Sequence, residues 1–284
     1  MNKKSKIKII GYFLMLLGIF MPLYAFGNLT WSNFKSKYEY QEFKKNQNII
    51  SKDEITKMDI AIKNYNDKLN GNVAIVDPFD SEQYKTSYDV KKDNPDMIFA
   101  YIRIPDIDVL QPIRLDASYE HLATGVAHVD GTALPVGGVG NRSVIAGHRG
   151  FYKDIMFLNL GDLKVGDEVF VDRLETTLKY VVTGTEIIKP YEWEKLNPIE
   201  DKDVLTLLTC DPITPPSPYR LLVNCERVQE EKLNKDIISE KESKTQKTSP
   251  KIRYITIGIY AVTFILSLLF VIVFYKMIKY VMKK

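Results

Sequence analysis

Two long uncharged runs, one near each end of the chain, bracket a middle section whose apolar residues come in short alternating bursts. Ile9 to Leu29 carries no charged side chain, and Tyr254 to Tyr275 is equally uncharged and rich in Ile, Leu, Val and Phe. As helices, both are long enough to cross a hydrocarbon layer of about 30 Å. Ala25 and Gly27 offer small residues to a peptidase, so the first run reads either as an anchor or as a cleaved signal. From Trp31 to Asn70 the pattern is polar and helical. Ser51-Lys52-Asp53-Glu54 fits a capping box, and Ile55, Met58, Ile62, Tyr65 and Leu69 recur at helical spacing. That stripe is expected to pack on the domain that follows, with Gly71 ending the helix; an oligomer contact is the alternative use.

From Met97 the texture changes to β-branched and aromatic runs punctuated by Gly, Pro, Asp and Asn. Strands are predicted near Ile98 to Ile104, Val109 to Ile113, Ser143 to Ala146, Glu168 to Val171, Lys179 to Ile188, Val204 to Thr209 and Arg220 to Val228. Their number suits a closed barrel, although the strand list alone fits a sandwich equally well. Gln229 to Pro250 is dense in Lys, Glu, Ser and Thr and reads as a solvated stalk. No internal repeat is evident.

Charge changes the picture mainly at the ends. The net charge of +3 over 284 residues is small and concentrated in flanks and tails, and no nucleic-acid motif is present. Lys3, Lys4, Lys6 and Lys8 precede the first apolar run, which argues for an inside amino terminus. The second run has lysines on both flanks, so the first decides the orientation. The expected layout is a basic cytoplasmic end (1–8), an anchor or signal (9–29), a helical region (30–96), a β domain (97–228), a charged stalk (229–253), a transmembrane helix (254–275) and a basic cytoplasmic tail (276–284). The β domain is then extracytoplasmic, anchored at the cell membrane by apolar segments that contact its lipid.

Three side chains carry candidate chemistry. Cys210 ends the β-rich run Thr206-Leu207-Leu208-Thr209-Cys210, Arg220 follows it, and His148 lies far upstream. A thiol attacks carbonyls as its thiolate, an imidazole can protonate a leaving amine, and a guanidinium can stabilise an oxyanion. Each also has a bland reading. A cysteine in an apolar strand is often an inert small hydrophobe, His148 could be a turn residue, and Arg220 could be a strand-edge cation. Only two cysteines occur, Cys210 and Cys225. If Arg220 to Val228 is one strand, Arg220, Leu222 and Asn224 share a face and Cys225 points to the other, so two free thiols are expected rather than a disulfide. His128 reads as a structural hydrogen-bonding residue and His121 as a surface residue. Without a Cys/His cluster at ligand spacing, neither a metal nor another cofactor is expected.

The wording around these residues resembles the sortase family. Thr206 to Cys210 fits Thr-Leu-x-Thr-Cys, Gly147-His148-Arg149-Gly150 follows an apolar run, Gly131-Thr132-Ala133-Leu134-Pro135 follows Ala127-His128, and Tyr219-Arg220-Leu221-Leu222-Val223 follows the cysteine. The resemblance covers roughly Met97 to Val228. It implies an all-β fold, an eight-stranded sortase barrel with N-terminal helices and a lid, flanked by membrane segments. It also implies Cys210 as nucleophile, His148 as general acid/base and Arg220 as oxyanion stabiliser.

Asp77-Pro78-Phe79, together with Leu134-Pro135-Val136-Gly137-Gly138 and the two flanking apolar segments, resembles class C, the pilin-polymerising sortases. In that class the lid aspartate approaches the arginine and the aromatic ring covers the cysteine. Asp-Pro is also a common turn initiator. The implied partners are LPxTG-like (Leu-Pro-x-Thr-Gly) sorting signals of pilin or surface proteins and an amine nucleophile, a pilin lysine in class C. A housekeeping sortase would instead pass the acyl group to a cell-wall precursor. A papain-like protease normally has its cysteine before its histidine, the reverse of the order here. A membrane-tethered adhesin would need none of the three side chains.

Overall fold

The computed structural model describes residues 3–47, 50–69, 75–80, 88, 96–150, 154–228 and 248–283. The expected helix end at Gly71 and nearly all of the expected stalk lie outside them. Contacts divide the chain into two compact units, one comprising 1–35, 152–154 and 250–284, the other 36–151 and 155–249.

The first unit is built on helix α1 (Lys3–Gln47), whose first part belongs here, and on the C-terminal helix, Pro250–Met282. Both are long and apolar enough to cross a membrane. Their apolar side chains are largely exposed, Phe13 and Phe264 among them, an arrangement that suits hydrocarbon rather than water. The helices run antiparallel: Tyr12 meets Tyr280, Phe34 meets Tyr260, and the Thr30 and Thr263 hydroxyls are 3.0 Å apart. Pro22 sits inside α1 without ending it. The polar stretch after Leu29, expected to be helical, continues α1 as far as Gln47, because no glycine or proline follows Gly27 before Gln47 to stop it.

The second unit is a closed barrel of eight strands: β1 (Ile98–Ile104), β2 (Val109–Leu115), β3 (Val126–His128), β4 (Arg142–Ala146), β5 (Glu168–Arg173), β6 (Thr176–Ile188), β7 (Val204–Asp211) and β8 (Tyr219–Arg227). Around the barrel the order is β1-β2-β3-β4-β7-β8-β6-β5. The pairs β2–β3 and β4–β7 are parallel and the others antiparallel. The strand absent from the sequence-based expectation is β3, three residues long and too short to show alternation. Closure leaves no free sheet edge.

Side-chain parity sorts the barrel into two apolar layers. Ile102, Ile145, Leu205, Leu207, Leu221, Val223 and Cys225 belong to one cluster, while Val144, Ala146, Leu208 and Leu222 belong to another on the opposite face of the same strands. The apolar stripe of α2 (Lys52–Lys68) adds Ile62 to the first cluster, with Met58 and Tyr65 packed against it. Its capping box is present: Glu54 N donates to Ser51 Oγ and Ser51 N donates to Glu54 Oε2.

On the β1/β5/β6 surface, Asp172 collects the end of α1. Its carboxylate accepts from Arg103 Nε at 2.5 Å, Thr177 Oγ1 at 2.6 Å and Tyr40 OH at 2.9 Å, with Lys44 Nζ 3.8 Å away. Tyr40 and Phe43 pack on the Tyr101 ring beside it. Burial alone would push this carboxyl up, but hydrogen bonding and charge from Arg103, with Thr177 and Lys44, outweigh it and hold the group below its ordinary 3.8. Asp172→Ala removes the common acceptor from a buried ion pair and is expected to cost about 3–5 kcal/mol of unfolding free energy. Because the folded value is depressed, the carboxylate's contribution is complete above the unfolded range near 4 and is lost as the pH falls through the lower folded value. Denaturant unfolding of both proteins between acid and neutral pH checks this; a difference that does not shrink toward acid would contradict it.

Candidate active site

The same parity that builds the second apolar layer aims the candidate residues. On β7, Thr206, Leu208 and Cys210 alternate onto the outer face; on β8, Arg220, Leu222 and Asn224 do the same. Thr206 Oγ1 donates to Asn224 Oδ1 across this face, and Cys210 is the register partner of Arg220. Parallel pairing of β4 with β7 ends at Ala146 opposite Leu208, so His148 and Cys210 stand two residues beyond the same rung. His148 follows Gly147, where a Cβ would come within 2.8 Å of the Phe157 and Val126 side chains. Only glycine fits there.

Residues 75–80 lie over this face. Asp80 N donates to Asp77 O and Phe79 N donates to Asp77 Oδ1, a turn with proline at its second position. That turn directs the Asp77 carboxylate at Arg220, which donates from Nη2 to Oδ2 at 2.6 Å and from Nε to Oδ1 at 3.3 Å. Arg220 Nη1 is taken up by the Ser217 and Tyr219 carbonyls. The Phe79 ring lies 5.7 Å from the His148 ring and 5.2 Å from the Arg220 guanidinium carbon. Since β7 lies between β4 and β8, a ring that touches groups from both neighbours crosses the end of the strand carrying Cys210. Ile75, Phe79 and Trp193 pack on the apolar layer of Val144, Ala146, Leu208, Ile188 and Leu196.

Burial pushes the Cys210 thiol up and Asp77 adds to the rise, while Arg220 and Arg149 oppose it. Burial pushes the His148 imidazole down. Both shifts favour the uncharged forms, the thiol and the neutral imidazole. Cys225 is inert by contrast, pushed up to about 12 by burial. Both cysteines are free. Among the described residues, no three His, Cys, Asp or Glu side chains are grouped so as to hold a metal ion.

Comparison with known proteins follows the same geometry. The model of the sortase domain matches residues 102–228. Sortase A of Bacillus anthracis is 31% identical over 159 residues, which cover 50% of this chain and 73% of that protein. Among solved structures, sortase C-3 from Streptococcus pneumoniae is 42% identical with a TM-score of 0.63, covering 69% of this chain and 90% of that one. Sortase C-1 from Actinomyces oris is 37% identical at 0.57, covering 62% and 98%. Sortase C1 of Streptococcus agalactiae, solved with MTSET, is 30% identical at 0.60, covering 68% and 97%. The chain belongs to the sortase family. It is a cysteine transpeptidase.

In this sortase His128 lies wholly inside, its ring nitrogens 2.5 Å from Tyr88 OH and 2.8 Å from Ala133 O, and burial lowers it to about 4. His121, expected on the surface, is 6% exposed. The helix α3 (Tyr119–Leu122) turns it inward, where Nδ1 lies 2.8 Å from Asp116 Oδ1. Sequence reading missed Trp193, one of two tryptophans in the chain, which packs on the apolar layer under the 75–80 segment. A large aromatic in a polar loop is the signal that could have found it.

Proposed function

We propose that this sortase is a membrane-anchored pilin polymerase, held closed at rest by a lid formed by Asp77, Pro78 and Phe79. The observation that carries this reading is the two-pronged Asp77–Arg220 contact. It occupies the Nε–Nη2 edge of the guanidinium, the fork an oxyanion would need. The names of solved neighbours support it: one is titled a pilus-related sortase C and another speaks of pilin substrate specificity.

With the lid displaced, Cys210 Sγ bonds to the Thr carbonyl carbon of an LPxTG-like signal while its proton passes to His148. Arg220 holds the oxyanion. As the carbon–nitrogen bond breaks, His148 returns the proton to the departing glycine amine and a thioester remains. A lysine amine of another pilin subunit then attacks the thioester, losing a proton and restoring the thiol. The antiparallel helices α1 and α4 (Pro250–Met282) support both chain ends on one side of the membrane, and the basic amino terminus places that side in the cytoplasm. The barrel then works outside.

Mass spectrometry of surface proteins from cells with and without the gene tests this reading. An isopeptide-linked ladder that depends on the gene is expected; surface proteins joined only to cell-wall precursor would mark a housekeeping sortase instead. At the site itself, Arg220→Lys keeps the charge but loses the planar fork, so acyl transfer is expected to fall by about tenfold or more. Turnover near wild type in single-turnover assays would remove Arg220 as the oxyanion donor.

A further inference from the structure

Beyond the last rung of β4 and β7, the two chain segments are still tied together. Gly147 N donates to Leu208 O at 3.1 Å, and Thr209 Oγ1 donates to Gly147 O at 2.7 Å. One residue further, Arg149 Nη1 donates to Cys210 O at 3.1 Å and pairs with Asp211 Oδ1. The Arg149 and Asp211 side chains are 11% and 19% exposed, so water screens this pair poorly. Arg149 Nε is buried with no acceptor among the described residues, an arrangement that costs stability. The chain leaves Arg149 through Gly150, whose φ of +84° lets it turn away at once.

We propose that Arg149 and Asp211 are positioning residues for acyl transfer: their bridge joins the residue after His148 to the residue after Cys210 and fixes the thiol and imidazole in reacting register. The reason is geometric. Strand pairing holds Cys210 firmly on its β8 side, through Arg220, but on its β4 side the ladder has already ended at Ala146. Among the described residues it is continued by the Gly147 N–Leu208 O bond and the Thr209 and Arg149 contacts, and of these only Arg149 reaches Cys210 itself. Arg149 grips the carbonyl of the nucleophile residue itself, so its loss lets the Cys210 backbone shift relative to His148. A displacement of about 1 Å between reacting groups costs roughly 100-fold in rate. Asp211 in turn holds the guanidinium so that it faces that carbonyl.

The inference rests on Cys210 being the nucleophile, and the experiment separates the two. Full-length protein in detergent is assayed as wild type, Cys210→Ala, Arg149→Met, Arg149→Lys and Asp211→Asn. A quenched fluorescent Leu-Pro-Ala-Thr-Gly peptide gives kcat and KM, and iodoacetamide gives the alkylation rate of Cys210 against pH, each normalised to folded, titratable thiol. Failure of wild type to be alkylated faster than Cys210→Ala would remove the nucleophile assignment, not the bridge. Given a reactive Cys210, Arg149→Met is expected to lower kcat about 100-fold with KM within about threefold, and Arg149→Lys to recover part of the loss.

Among the described residues, Arg220 on β8, Asp77 from the 75–80 segment and Arg149 after β4 act on the Cys210 thiol; His148 precedes Arg149, and Asp211 follows Cys210 and pairs with Arg149. Removing the Arg149 charge should raise the midpoint of the alkylation profile, whereas Asp211→Asn should lower it. A merely structural bridge would change the folded fraction and leave kcat per thiol and both midpoints in place, and that result would overturn the proposal. Should Arg149→Met fail to fold, Arg149→Lys and Asp211→Asn decide by the same criteria.

Discussion

Cys210→Ala is expected to abolish thioester formation and transpeptidation while the protein remains folded. The expected fall in turnover is on the order of 10⁴-fold or more, because the covalent step has no substitute: Cys225, the other thiol, is buried and faces the opposite side of β8. The change removes one sulfur from a partly buried side chain and leaves the β7–β8 register untouched, so unfolding free energy should move by about 1 kcal/mol at most. Trapping the acyl-enzyme by mass spectrometry with a sorting peptide, beside a thermal melt of both proteins, measures the two effects together. Normal turnover in a folded alanine variant would show that the thiol is not the nucleophile. A variant that fails to fold would show that Cys210 is structural.

Strand alternation made much of this site legible. The separation of Cys225 from Arg220 follows from period-two geometry alone: Cys225 lies in one apolar layer, and Leu222, on the β8 face that Arg220 shares, in the other. Closure of the barrel was not legible in the same way. Seven strands with suitable punctuation fit a sandwich equally well, and the eighth, Val126–His128, is held by parallel pairing with β2, a long-range fact that three residues cannot announce. His121 misled for a related reason. It sits in a one-turn helix whose buried side is decided by Asp116 before it, not by any apolar period.

The bridge from Arg149 to Asp211 was invisible for a deeper reason. Both residues are ordinary charged neighbours of His148 and Cys210. Their contact exists only because β4 and β7, distant in sequence, end on the same rung. The approach of Asp77 to Arg220 was anticipated only through the likeness of Asp77-Pro78-Phe79 to a lid; the bond spans 143 positions, and no spacing or period in the sequence points to it.

Removing both Asp77 and Phe79 is expected to raise the alkylation rate of Cys210 by about 10- to 1,000-fold, the factor for an open state populated at 0.1–10%. The proposed closed state would rest on two contacts, the charged fork from Arg220 to Asp77 and the Phe79 ring between Arg220 and His148. They share Arg220, so the single variants Asp77→Ala and Phe79→Ala should not add to the double variant's effect. The pH profile should move as well. Burial and the Asp77 carboxylate both push the thiol up at rest, and Arg220 opposes them while its charge is partly answered by Asp77. Opening removes both raising causes and frees the guanidinium, so the double variant should reach half-maximal alkylation at lower pH than wild type. Turnover of a soluble sorting peptide should rise in parallel, with a larger share of thioester lost to water, because the lid no longer excludes it. Iodoacetamide rates on full-length protein in detergent, each scaled to a denatured control, measure both effects. Equal rates and equal midpoints in the two folded proteins would sink the lid, leaving Asp77 and Phe79 as structural residues of a site open at rest.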